Sequence, residues 1–284
     1  MTFNLEGATI ADIQTAVATK EISYKELVLL YLERIAAVDS CEGGLNSVLE
    51  INPDALAIAA FMDDERAKGV LKGSLHGIPI MLKDNINTGD KMHTSAGSLA
   101  LADNSMGFGM DADIVRNLRE NGAIILGKVN MTEFANWIAE DMPCGYSSRG
   151  GQVKHPYNRE ADPLGSSTGS AVAVAAKLCV ASVGTETCGS IIGPSSACGV
   201  VGIKPTAGLL SSNGIVPISN TLDTPGPIAR TVRDAAILLN GLKAGMYGGG
   251  GSFGYVYIGH SPTTLDSSTK DYAMNLESAS LEPV

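Results

Sequence analysis

The chain has 284 residues, of which 44% are hydrophobic and 18% charged. This balance predicts a folded globular protein with one large core or two smaller ones, and it argues against wholesale disorder. The net charge is −10, from 20 basic and 30 acidic residues, and the sequence contains no run of Lys and Arg. Since a phosphate backbone is bound by clustered cations, nucleic acid is not expected as a partner.

The cysteines and the apolar stretches predict the cellular compartment of the protein. The five cysteines are widely spaced and include no CxxC pair, which favours reduced thiols in a cytoplasm over a disulfide framework or a zinc site. The N-terminus lacks the basic and apolar regions of a signal peptide. The longest apolar stretch, 171–183, contains Lys177 and is shorter than the roughly 20 residues of a membrane span. We therefore expect a cytoplasmic protein that does not enter the membrane.

Helical and strand patterns alternate along the first 243 residues. A capping box, Ser23 with Glu26, predicts the start of the second helix, and Gly122 predicts the end of the fourth. In chain order, we predict helices at 9–20 and 24–38, a strand at 47–51, a helix at 53–69, a strand at 77–84, a helix at 111–122, a strand at 123–130, helices at 131–140 and 169–181, a strand at 200–203 and a helix at 231–242. This order predicts an α/β fold whose central sheet is mixed and largely parallel, with helices on both faces.

Two segments interrupt the alternation. The stretch 141–168 is longer than an ordinary connector and is a candidate functional region. The tail, 244–284, starts with a Gly-rich run typical of a flexible connector and has no clear apolar face. We therefore predict a domain at 1–243, followed by a poorly patterned tail at 244–284 that is weakly ordered or an incomplete continuation of the domain.

Three segments carry candidate chemistry. Lys83 follows an apolar strand and so lies at the strand's carboxyl end, where α/β sheets place their sites. "DPLGSSTGSAVAVAAK" is a Gly/Ser turn that opens a helix, and "TETCGSIIGPSS" presents Ser190 in a turn whose amides could bind an oxyanion. Each feature alone is also compatible with a solvated lysine or ordinary turn chemistry. The sequence has no Walker or HExxH motif, and none of its histidines, His76, His93, His155 and His260, lies in a nucleophile-elbow context, so phosphate binding, a metal site and a Ser-His-Asp triad are poorly supported.

These segments also carry a resemblance that runs from about residue 8 to residue 243. The stretches "HGIPIMLKDN", "GSSTGSAVAVAA", "GTETCGSIIGPSSACGVVGIKPT", "GIVPIS" and "LDTPGPIARTVRDAAILL" follow one another in the order found in the amidase signature family, which the chain resembles. The finer likeness, in "NINTGDKMHTSAGSLAL" and "GYSSRGGQVKHPY", is to its peptide-amidase-like members. The resemblance implies hydrolysis of a carboxamide without cofactor or metal, on a small-molecule or peptide amide.

The resemblance also implies the site residues. The catalytic unit of the family is Ser-cisSer-Lys, which places the nucleophile at Ser190, the bridging serine at Ser166 and the base at Lys83. A separation of 24 residues between the two serines favours Ser166 over Ser167, and the Gly165–Ser166 peptide is expected to be cis. The oxyanion hole is expected from the backbone amides of Thr187, Cys188, Gly189 and Ser190, with Ser167 and Asp84 in supporting roles.

The chain departs from the family pattern in three places. Cys188 stands where the family usually has glycine, and Glu186 and Ile192 stand where it commonly has Asp and Arg. Members generally continue well past the equivalent of residue 243, so the chain is expected to be truncated. Two other functions therefore stay open: the A subunit of a glutamine-dependent tRNA amidotransferase, and a non-catalytic amidase-like fragment or binding module. Cys188 is a further, less favoured candidate nucleophile.

Overall fold

A computed structural model describes residues 3–104, 109–243 and 271–276. Seven α-helices lie within these residues: α1 (Ile10–Ala18), α2 (Tyr24–Val38), α3 (Ala55–Ala67), α4 (Asp113–Glu120), α5 (Thr168–Ala175), α6 (Ile192–Ala197) and α7 (Val232–Leu242). The predicted capping box at α2 is confirmed, since the Ser23 hydroxyl accepts from the Glu26 amide and the Glu26 carboxylate accepts from the Ser23 amide. Gly122 follows α4 with φ of +86°, a conformation natural to glycine, and confirms the predicted helix end.

The described residues also form eight strands: β1 (Val48–Ile51), β2 (Pro79–Lys83), β3 (Ile124–Val129), β4 (Tyr146–Ser147), β5 (Gly151–Gln152), β6 (Ala181–Glu186), β7 (Val201–Gly202) and β8 (Thr224–Ala229). Six of them form one sheet in the order β1-β3-β2-β6-β8-β7, and β4 pairs with β5 in a small hairpin. β6 and β8 were not predicted as strands. The C-terminal half of the predicted helix 169–181 is instead the end of α5 and a short connection into β6.

The α/β class and the mixed sheet are confirmed. β2 runs parallel to both β3 and β6, whereas the β1–β3, β6–β8 and β7–β8 pairs are antiparallel. Parallel pairing is thus restricted to the three central strands, and the first strand-helix-strand unit does not place β1 parallel to β2. Because β2 and β6 are parallel neighbours, their carboxyl ends meet at one edge of the sheet.

Helix α5 packs across the central strands and is buried along its whole length. Its small residues permit this close approach: a Cβ on Gly169 would meet the backbone oxygen of Asn130 at 2.3 Å. Helix α7 packs on β6, β7 and β8 and against α4. None of the described helices is long and apolar enough to cross a membrane.

The helix predicted at 131–140 is wrong. The segment forms only a 3-10 turn over Glu133–Asn136, in which Phe134 and Ala135 have positive φ. Tertiary hydrogen bonds replace the helical ones: the Phe134 amide donates to Ala96 O, and the buried Glu133 carboxylate accepts from the Ser148 amide. Contacts of this kind override local helix propensity.

The irregular region predicted at 141–168 contains only the β4–β5 hairpin. The Gly-rich part of the tail lies outside the described residues. Within the tail, Asp271 and Tyr272 contact Asn240 of α7, and the Lys243 ammonium lies 4.7 Å from the centre of the Tyr272 ring. This short segment docks on the end of α7, and the division into a domain and a tail stays a prediction.

Candidate active site

The central strands bring two of the three candidate segments to one edge of the sheet. Lys83 is the last residue of β2, and Thr185 and Glu186 end β6 beside it. The third segment arrives from the turn before α5, where the Gly165–Ser166 peptide is cis, as the sequence resemblance implies. Ser166, Ser167 and Lys83 are all buried at this point.

The Lys83 ammonium group is fully buried and surrounded by oxygen atoms. Its Nζ lies 2.7 Å from Ser166 Oγ, 3.0 Å from Ser167 Oγ, and 3.0 and 3.2 Å from Thr185 Oγ1 and O. Burial lowers the pKa of Lys83 to about 7, against the opposing attraction of the Glu186 and Asp223 carboxylates. A substantial fraction of Lys83 is therefore neutral near pH 7 and able to accept a proton.

Ser166 and Ser167 have different partners although they are adjacent. Ser166 Oγ contacts Lys83 and also faces a cavity of about 270 Å³. Ser167 does not line that cavity. Its Oγ accepts from Lys83, donates to Thr185 O at 3.0 Å and accepts from Thr185 N at 3.2 Å. Its hydrogen is already used, so Ser166 is the better placed of the two to pass a proton.

Ser190 borders the same cavity as Ser166. The remaining lining comes from the segments on either side: Thr132, Ala135, Asn136, Trp137, Cys144, Gly165, Thr187 and Cys188. The Ser190 carbonyl accepts from the Ser167 amide at 3.1 Å, which ties the two turns together. Ser166 therefore contacts Lys83 and shares the cavity with Ser190, and the cavity walls include part of the segment wrongly predicted as a helix.

Glu186 holds the turn that contains Ser190. Its carboxylate accepts from the amides of Gly189, Ile191 and Ile192 at 2.7 to 3.0 Å. The Gly189 amide is therefore already engaged, whereas those of Thr187, Cys188 and Ser190 have no hydrogen-bond acceptor within the described parts of the chain. These three N–H groups are the available donors for an oxyanion among the four predicted.

Cys188 fits the turn without an unusual backbone angle. Gly189 has φ of +83°, but Cys188 is not among the residues with positive φ. The Cys188 side chain is exposed and borders the cavity. Ile192 is about half exposed, so its apolar side chain is not part of the buried core.

Asp84 was expected to support the site, and its side chain contacts the loop after β2. Its buried carboxylate accepts from Ser95 Oγ, from the Gly97 amide at 2.8 Å and from Arg149 at 3.3 Å. These contacts hold the loop after β2, and none of them reaches Lys83, Ser166 or Ser190. Burial raises the pKa of Asp84, while the nearby Lys128 and Arg149 cations oppose this shift.

Sequence reasoning did not single out Thr185, Asn85 or Asp223. Thr185 contacts Lys83 directly, Asn85 contacts Thr185, and Asp223 accepts a hydrogen bond from the Thr187 hydroxyl at 2.5 Å. Thr185 and Asn85 lie inside the quoted motifs "GTETCGS" and "LKDN", so their proximity to the predicted serine and lysine was the available signal. For Asp223, the sequence offered no signal beyond its place in "LDTPGP".

Comparison with known proteins identifies the family of the chain. The family model described as Amidase matches residues 26–245. A probable amidase of Arabidopsis thaliana is 48% identical over 243 residues, which are 85% of this chain and 46% of that protein. The native peptide amidase from Stenotrophomonas maltophilia is 50% identical, with a TM-score of 0.80 over 84% of this chain and 48% of that one.

The A subunit of the glutamyl-tRNA(Gln) amidotransferase of Burkholderia lata is also similar, with 41% identity over 84% of this chain and 46% of that protein. The chain thus spans about half the length of the relatives it matches. The match nevertheless includes the strands and turns that carry Lys83, Ser166 and Ser190. On the family model and on these identities, the chain belongs to the amidase family.

Proposed function

We propose that the protein hydrolyses a carboxamide through an acyl-enzyme on Ser190, with Ser166 as the bridge and Lys83 as the base. The observation that carries this proposal is the contact of 2.7 Å between Ser166 Oγ and a fully buried lysine whose pKa is lowered to about 7. A neutral amine beside a hydroxyl, at the edge of a cavity that also holds a second hydroxyl, is suited to general-base catalysis.

In the proposed reaction, Ser190 Oγ attacks the amide carbon while its proton passes to Ser166, and the Ser166 proton passes to Lys83. The amides of Thr187, Cys188 and Ser190 stabilise the oxyanion. The proton then returns through Ser166 to the leaving nitrogen, the C–N bond breaks, and ammonia or an amine departs. A water molecule attacks the Ser190 ester in the same manner and releases the carboxylate, so one amide and one water give one acid and one amine.

The substrate class follows from similarity. The likeness to a peptide amidase favours a peptide amide or a small aliphatic or aryl amide. The 41% identity to the amidotransferase chain of Burkholderia lata supports a second candidate, in which the same residues release ammonia from glutamine for a partner protein. Glutaminase activity and copurification of a partner would favour that candidate over hydrolysis of peptide amides.

A fluorophosphonate probe tests the proposal directly. We expect the wild-type protein to be labelled at Ser190 and to hydrolyse an amide, and we expect Ser190→Ala to lose both properties. Ser166→Ala should lower the labelling rate by at least about 100-fold, because the path to the base is broken. Ser196→Ala, an exposed serine on α6, is the matched control. A folded wild-type chain that is never labelled would instead support the non-catalytic alternative.

A further inference from the structure

Asn85 is a buried residue whose side chain is only half satisfied. It follows Lys83 and Asp84 at the end of β2 and is 4% exposed. Its Nδ2 donates to Thr185 Oγ1 at 3.0 Å, while its Oδ1 has no hydrogen-bond partner in the described structure. Buried amide oxygens are almost always paired. Thr185 Oγ1 in turn lies 3.0 Å from Lys83 Nζ, so Asn85 reaches the proposed base through a single hydroxyl.

The oxygen atoms around Lys83 divide into two kinds. Thr185 O is a carbonyl, and Ser167 Oγ gives its hydrogen to that same carbonyl. Both can only accept from Lys83, so they take the two N–H hydrogens of the neutral amine. The lone pair is left for one of two hydroxyls, Ser166 Oγ at 2.7 Å or Thr185 Oγ1 at 3.0 Å. Only Ser166 faces the reaction cavity, so a hydrogen bond from Thr185 would occupy the lone pair unproductively.

The orientation of the Asn85 amide decides this competition. With Nδ2 toward Thr185, the threonine oxygen accepts from Asn85 and its own hydrogen points to Lys83. Rotating the amide by 180° exchanges its oxygen and nitrogen ends. Oδ1 then accepts the Thr185 hydrogen and gains a partner. Nδ2 can then hydrogen-bond to solvent in the cavity of about 10 Å³ that Asn85 borders, about the smallest space that holds a water molecule.

We propose that Asn85 is a positioning residue, which draws the Thr185 hydroxyl hydrogen away from Lys83 and so directs the Lys83 lone pair to Ser166. This inference rests on the proposed function, because it concerns the same base. The neutral Asn85 side chain adds no charge near Lys83, and the charges that act on Lys83 come from Glu186 and Asp223. The Asn85 main chain has a separate role, since its carbonyl accepts from the Val216 amide at 2.9 Å and is retained in any substitution.

The test compares Asn85→Ala, Thr185→Val and the double variant by their rates of Ser190 labelling and by KM and kcat for an amide. Asn85→Ala should lower the plateau rate and kcat about tenfold, with KM nearly unchanged, because the lone pair is partly occupied by Thr185. Adding Thr185→Val to Asn85→Ala should restore much of the rate, because the competing hydroxyl is gone. Two merely structural losses would not rescue each other.

Asn85→Asp is the second variant, since a carboxylate can only accept and still takes the Thr185 hydrogen. Its plateau rate should be retained, with the pH midpoint moved upward because the added negative charge raises the pKa of Lys83. Three results would each overturn this inference while leaving the proposed function intact. They are a wild-type rate in Asn85→Ala, a double variant that is no faster than Asn85→Ala, and the loss of the plateau in Asn85→Asp. A wild-type protein that is never labelled at Ser190 would overturn the proposed function and the inference together.

Discussion

Lys83 determines the pH at which the proposed reaction can begin. Its pKa is lowered to about 7 by burial, and only the neutral amine accepts a proton. We expect the rate of Ser190 labelling to rise with pH, with a midpoint near 7, and to reach a plateau above it. Glu186→Gln should move the midpoint downward, because the Glu186 carboxylate favours the charged lysine. Stopped-time labelling followed by mass spectrometry measures both profiles, and a midpoint near the ordinary lysine pKa would contradict the assignment of Lys83 as base.

Cys188 offers a thiol at the edge of the cavity that a thiol reagent can modify. Its side chain is exposed and borders the same cavity as Ser190, so an adduct there would occupy the space that a substrate needs. We expect iodoacetamide to abolish most of the Ser190 labelling in the wild type and much less of it in Cys188→Gly. The buried Cys179 and Cys198 serve as internal controls, because peptide mapping should find both unmodified in the folded protein. Equal inhibition of the two proteins would contradict this placement of Cys188.

At the scale of elements, buried ion pairs of Arg149 connect its own segment to β1 and to the loop after β2. Arg149 contacts Glu50 of β1 at 2.8 Å and Asp84 at 3.3 Å, and its side chain is 13% exposed. Removing one partner of a buried network leaves the others uncompensated. We therefore expect Arg149→Met to lower the free energy of unfolding by about 3 kcal/mol, as measured by urea denaturation at pH 7.

Arg116 provides the matched control for that experiment. It pairs with Asp113 on α4 at 2.9 Å, but its side chain is 56% exposed. An exposed pair of this kind contributes at most about 1 kcal/mol, so Arg116→Met should change the unfolding midpoint little. Similar losses of unfolding free energy in the two variants would mean that burial does not strengthen the contribution of the Arg149 ion pairs.

The elements also show how far sequence patterns reach. Capped helices such as α2 and continuous apolar strands such as β2 and β3 were predictable, because local capping and burial determine them. The segment 131–140 was not, since its turn is fixed by hydrogen bonds to Ala96 and Ser148, which lie well outside the segment. Lys83, Ser166 and Ser190 came from motifs, whereas the role of Thr185 depends on distances that only the folded sheet provides.

At the scale of the whole molecule, the buried titratable groups give the unfolding free energy a distinctive pH dependence. Burial lowers the pKa of Lys83 to about 7 and that of Lys128 to about 8. Burial also raises the pKa of Cys179 and of Cys198 to about 12. Between pH 7 and the ordinary lysine pKa of 10.5, the unfolded chain binds more protons at the two lysines than the folded chain does. Above the ordinary thiol pKa of 9.0, the folded chain retains the cysteine protons that the unfolded chain loses.

Stability rises with pH wherever the unfolded state binds more protons, and it falls where the folded state binds more. The free energy of unfolding should therefore rise by roughly 3 kcal/mol between pH 7 and 9, level off between pH 9 and 10.5 as lysines and cysteines oppose each other, and fall above pH 10.5. Urea titrations at each pH measure this curve. Lys83→Met should remove more than half of the rise in unfolding free energy, because Lys83 has the lower pKa of the two lysines and so contributes the larger share. The double variant Cys179→Ala with Cys198→Ala should reduce the fall above pH 10.5. A curve that is flat from pH 7 to 9 would mean that both buried lysines remain charged in the folded protein, in which case Lys83 could not serve as the base.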